Sequence, residues 1–150
     1  MMSPSSPATL VPPVTPEAVD LATQWLAELA ADKGWPARAT FGLTLSVDEA
    51  LTNILMHGFS EAAPGTVPHI RLACLDTATE VEIRISDNGR PFDPSTLAPP
   101  KEAASVEDAQ IGGHGVQLMR HYLKRLAYTR SAGENHLSLV ADISGGAPAD

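Results

Sequence analysis

The spacing of apolar residues changes several times along the chain, and each change predicts an element. Val19, Leu21, Ala22, Leu26, Leu29 and Ala30 recur at helical spacing between Pro16 and Gly34. They predict an amphipathic helix with Thr15 as its cap and Pro16 in its first helical position. A second helix is predicted from Pro36–Ala39 to about His57, closed by Gly58. After the Pro- and Gly-containing loop at 61–68 the period shortens to two. "HIRLACL" alternates through Ile70, Leu72 and Cys74, and "TEVEIRISD" through Val81, Ile83 and Ile85, with Asp76–Thr79 as a hairpin between them. The intervening Glu80, Glu82, Arg84 and Ser86 are polar, so one sheet face is packed and the other wet. That pattern suits an antiparallel or mixed sheet covered on one side. "GGHGVQLMRHYLKRL" begins with glycines and turns helical through Val116, Leu118, Met119 and Leu123. "RLAYTR" and "HLSLVADI" form a closing hairpin through Gly133, and "ATLV" near the start is a candidate short edge strand. The sum is an α+β chain.

Three stretches escape this patterning. Residues 1–13, rich in Pro and Ser, predict a frayed N-terminus, and 144–150 a loose tail, leaving one domain over 14–143. Between Arg90 and Gln110 the alternation dissolves into prolines and small acidic residues, which predicts a functional lid or a disordered insert.

Composition narrows the partners. A formal charge of −8 and a pI near 5.0, with no basic block, argue against a nucleic-acid binder held by phosphate contacts. They fit a protein that meets a basic protein surface. No apolar run is long enough to span a bilayer, and "MMSPSSPATLVPP" lacks the layout of a signal peptide. The single cysteine, Cys74, lies in an apolar run and reads as a small buried hydrophobe. A reducing, cytoplasmic setting is the simplest expectation.

Three features suggest chemistry. In "LSVDEALTNILMHGF", Glu49, Asn53 and His57 form a polar stripe at four-residue spacing along the edge of an apolar helix face. A shielded carboxylate there can act as a general base, and an adjacent amide oxygen can bind a hard cation. The same stripe can equally be a solvated flank. Asp87 shares parity with Val81, Ile83 and Ile85, so its carboxylate points to the covered face and needs a partner, unless it only caps the "DNGRPFD" turn. "GGHG" at 112–115 opens a helix and offers backbone amides to an anion, or is a plain flexible joint.

Taken in order, "DEALTNILMHGF", "DNGRPFDP" and "GGHGVQLMR" resemble the N, G1 and G2 boxes of the GHKL ATPase superfamily. Within it the chain is most similar to the small anti-sigma serine kinases of bacterial partner-switching systems. The closing "YTRSAGENHLSL" also resembles that family, and the likeness spans about 15–143. The resemblance implies a two-layer α/β sandwich, with a mixed, mostly antiparallel sheet and helices on one face. It implies Glu49 as the base for the attacking hydroxyl and Asn53 as ligand to a Mg²⁺ that bridges the ATP phosphates. It implies Asp87 as acceptor for the adenine amino group, with Gly89 allowing the backbone to approach the base. Gly112, Gly113, His114, Gly115 and Val116 would wrap the phosphates, under a lid at 94–111. The implied partners are a STAS-domain antagonist as substrate and a sigma factor held inactive, with no nucleic acid or membrane. A homodimer is the implied assembly. His57 receives no chemical step, only a structural hydrogen bond. Pro91 stands where the wider superfamily has a second glycine, and Lys101 is the one basic lid residue. These departures keep open a second reading, a nucleotide-binding module that works by sequestration without transferring phosphate.

Overall fold

The computed structural model describes residues 7–60, 62, 64–93 and 114–144. Strand β1 (Ala8–Leu10) precedes helices α1 (Glu17–Lys33) and α2 (Ala37–Asn53). Strands β2 (Ile70–Asp76) and β3 (Glu80–Asp87) follow, then helix α3 (His114–Tyr122) and strands β4 (Arg125–Ser131) and β5 (Glu134–Asp142). The sheet order is β1-β2-β3-β5-β4, and every described pairing is antiparallel. The α+β expectation therefore holds, with an antiparallel sheet where a mixed one was also allowed.

The alternation in β3 and β5 decides which face is covered. Val81, Ile83 and Ile85 pair in register with Ala141, Leu139 and Leu137, and all six are buried under the helices. Helix α2 supplies Leu43, Val47, Ala50 and Leu51 to this layer, α1 supplies Ala22 and Leu26, and α3 supplies Met119. Each Leu, Val and Met among them, taken out of water, stabilises the fold by roughly 1.5–3 kcal/mol before entropy is counted. The opposite face is wet. There Glu82 accepts from Arg84 and Ser138, while Glu80 is gripped by Arg125 and Lys124, which hold its carboxyl down near about 2.

Helix boundaries follow local chemistry, with two departures from the sequence pattern. Helix α1 starts one residue later than predicted: Pro16 stands at its cap, and Thr15 contributes its carbonyl, accepting from Ala18 N–H at 2.8 Å, in place of a side-chain cap. Gly34 ends it in the left-handed region at φ 69°, as a C-terminal glycine should. The second departure is at the end of α2. After Asn53 the chain continues as a π-helical turn, Ile54–Gly58, which widens the helix beside the polar stripe. Cys74 is buried, and burial, aided by nearby Asp76, pushes its thiol up to about 11, so it packs as a hydrophobe.

Candidate nucleotide site

Asp87 ends β3 with its side chain on the covered face, 3% exposed. A carboxylate at that depth requires donors, and two supply them: Gly89 N–H at 2.8 Å and Asn135 Nδ2 at 3.0 Å. Both bonds go to Oδ1. Among the described residues none donates to Oδ2, and Asp87 lines a small cavity together with Asn53 and Asn135. Ala50, Ile54 and Leu137 give that cavity apolar walls, and Phe92 and Tyr128 give it aromatic ones. Burial raises the Asp87 pKa, and the bonds from Asn135 and Gly89, with the charge of Arg130, oppose the rise. Apolar walls with one directed carboxylate suit a flat heterocycle that carries an amino donor.

Asn135 is the hub beneath it. Its residue pairs directly with Asp87 across the β3–β5 ladder. Its amide nitrogen donates to Asp87 and to the Arg90 carbonyl at 2.8 Å. Its amide oxygen accepts from the Tyr128 hydroxyl at 2.5 Å and from Arg130 Nη1 at 3.1 Å. Arg130 also donates to the Gly89 carbonyl at 2.7 Å. Sequence reading missed Asn135, Tyr128 and Arg130 as site residues. Parity could have found the first, since Asn135 shares the inward side with Leu137, Leu139 and Ala141, which is the argument that singled out Asp87.

The turn after Asp87 is tied to the end of the polar helix. Arg90 N–H donates to the Gly58 carbonyl at 2.8 Å. A Cβ on Gly89 would sit 2.7 Å from that same carbonyl oxygen, so the glycine is required for close approach of two backbones. We expect Gly89→Ala to destabilise the protein by roughly 1–3 kcal/mol, read as a lowered melting temperature; an unchanged melting curve would contradict the close contact.

On α2, Asn53 Nδ2 donates to Glu49 Oε2 at 3.3 Å, and Asn53 lines the cavity beside Asp87. The structure thus brings Glu49, Asn53, Asp87 and Gly89 to one end of the sheet. His57 does not join them: it is exposed, its ring lies 6.5 Å from that of Phe92, and among the described residues its side chain makes no hydrogen bond. Gly112, Gly113 and the whole lid at 94–111, Lys101 included, lie outside the described residues. His114 and Gly115 open α3, and the Val116 side chain is buried in the core, which leaves its backbone as the part able to meet a ligand. A larger hollow on the wet face, lined by Arg84, Thr129, Ser131 and His136, contains none of the expected site residues.

The fold and this site define a class. The chain belongs to the histidine kinase-like ATPase domain family, whose model matches residues 13–141. Serine/threonine-protein kinase BtrW of Bordetella bronchiseptica is 44% identical over 133 residues, covering 89% of this chain and 92% of that protein. Serine-protein kinase RsbW of Listeria monocytogenes is 33% identical over 115 residues, 74% of this chain and 71% of its own. The RsbW of Listeria innocua is 32% identical over 118 residues, with 74% and 71% covered. The resemblance to the small kinases of the GHKL superfamily is thereby borne out. The chain stands among serine/threonine-protein kinases that use ATP. Among the described residues no helix is long and apolar enough to cross a membrane.

Proposed function

We propose that this protein is a cytoplasmic ATP-dependent serine kinase and anti-sigma factor, alone or as a homodimer. In this reading it phosphorylates a STAS-type antagonist and holds a sigma factor inactive until the partners exchange. The observation that carries the reading is the buried Asp87, which among the described residues has donors on one oxygen only and lines one cavity with Asn53.

Asp87 Oδ2 accepts a hydrogen bond from the adenine amino group, and the apolar walls exclude water from the base. The backbone amides of Gly112, Gly113, His114, Gly115 and Val116 bind the phosphates, aided by the positive end of the α3 dipole. Glu49, half-buried beside Asn53, takes the proton of the attacking serine hydroxyl. The residues fit a Mg²⁺ ion in one respect: Asn53 spends its amide nitrogen on Glu49, which frees its amide oxygen as a hard ligand. No cluster of three or more His, Cys, Asp or Glu able to hold a metal occurs among the described residues, so phosphate oxygens and water would complete the shell. When bound, the ion would neutralise charge on the transferring phosphoryl group.

The test is label transfer from radioactive ATP, with Mg²⁺, to a STAS-domain protein from the same genome. Label on a serine of that protein is the expected result. ATP binding without transfer to any such protein would favour the sequestration module instead.

A further inference from the structure

Arg130 sits on the edge strand β4, on the same side as Leu126 and Tyr128, and its charge is used in an unusual way. Among the described residues it forms no ion pair with a carboxylate. Its guanidinium instead donates to two neutral oxygens, the Gly89 carbonyl at 2.7 Å and the Asn135 amide oxygen at 3.1 Å. We propose that Arg130 is a positioning residue for base recognition: it fixes both the turn after Asp87 and the orientation of the Asn135 amide. The proposal rests on the reading that Asp87 accepts from adenine.

The argument is one of donor and acceptor accounting. The Asn135 amide has two possible orientations, related by a flip. In one, its nitrogen faces Asp87 Oδ1 and the Arg90 carbonyl, both acceptors, while its oxygen faces the Tyr128 hydroxyl and Arg130, both able to donate. In the other, the amide oxygen would face a carboxylate, and the nitrogen would face a guanidinium that has no acceptor. Asp87 and the Arg90 carbonyl set this orientation from the nitrogen side, and Arg130 sets it from the oxygen side, where the Tyr128 hydroxyl alone could turn and accept whereas a guanidinium cannot. The correct orientation directs the Asn135 bond to Oδ1 and leaves Oδ2 without a donor among the described residues. The second bond acts on the turn itself. It holds the Gly89 carbonyl, while the N–H of the same residue donates to Asp87. Removing Arg130 releases both constraints at the base end, and neither bond involves Asn53 or α3.

The experiment compares nucleotide affinities of the wild type, Arg130→Ala, Arg130→Lys and Asp87→Ala. In Arg130→Ala, the dissociation constants for ATP, ADP and adenosine are expected to rise by a common factor of about tenfold, as for loss of a charge-assisted hydrogen bond. Preference for ATP over GTP should fall in the same variant, because a loosened turn and an Asn135 amide with one constraint fewer on its oxygen define the acceptor less sharply. Arg130→Lys should recover part of both losses, since an ammonium can still donate to the Gly89 carbonyl. If Arg130→Ala folds poorly, the Lys variant decides, with an intermediate affinity and selectivity expected.

Weakened ATP binding with unchanged adenosine binding would make Arg130 a phosphate ligand and overturn the proposal. Equal weakening of ATP and GTP would reduce Arg130 to a general support of the fold and overturn it too, as would unchanged affinities. If Asp87→Ala binds ATP normally, the underlying site assignment fails. If Asp87→Ala loses ATP and Arg130→Ala does not, only the positioning role fails.

Discussion

Asp87→Asn is expected to abolish ATP binding while leaving the fold at least as stable as the wild type near neutral pH. The amide oxygen of an asparagine can keep the bonds from Gly89 N–H and Asn135 Nδ2, so the turn and the strand ladder survive. Its nitrogen would then face the cavity and present a donor to the donor of adenine. A site built around one polar contact rejects a mismatched partner strongly, so affinity should fall by on the order of 10² or more. The stability effect has a definite sign. Burial raises the folded-state pKa of Asp87 above its ordinary value of 3.8. Such a group contributes stability that is fully present below the unfolded pKa and is lost as pH rises through the folded one. At neutral pH the buried charge is therefore a cost to folding, and the neutral amide avoids it. The same shift means that wild-type ATP binding weakens on acidification sooner than an ordinary aspartate would allow, because the protonated carboxyl becomes a donor. Titration calorimetry and thermal melts across pH check all three statements. A folded Asp87→Asn protein with wild-type ATP affinity would remove Asp87 from the base site.

Glu49→Gln should give the opposite division. The glutamine keeps an acceptor for Asn53, so the helix and the cavity wall persist, but it cannot take a proton. Phosphoryl transfer should fall by about 10²–10⁴-fold with ATP affinity essentially unchanged. The two variants thus separate binding from chemistry: one loses nucleotide, the other only turnover. A Glu49→Gln protein that transfers phosphate at the normal rate would end its assignment as the base. One that stops binding ATP would make Glu49 part of the nucleotide shell instead.

What the sequence made legible and what it hid divide along the range of the interactions. The strict alternation of β3 placed Asp87 on the covered side, because side-chain parity is a local property of a strand. The polar stripe on α2 was equally local, and Glu49 and Asn53 do touch at helical spacing. Parity makes Asn135 inward-facing, but its partner was hidden, because only the β3–β5 register sets it opposite Asp87, far away in sequence. Arg130 was hidden for a further reason, since its targets are a backbone carbonyl and another residue's amide, which no side-chain pattern announces. The π-helical turn was invisible too. "ILMHG" reads as ordinary helix, and the departure shows only where Gly58 meets the turn after Asp87.

That meeting has a mechanical consequence. With Arg90 N–H on the Gly58 carbonyl and no Cβ at Gly89 to hold the backbones apart, helix α2, its widened last turn and the turn after Asp87 form a single strut. A strut transmits displacement without absorbing it. In the proposed reading, a docked protein that displaced α2 would also displace this turn, so partner and nucleotide would be coupled through the helix.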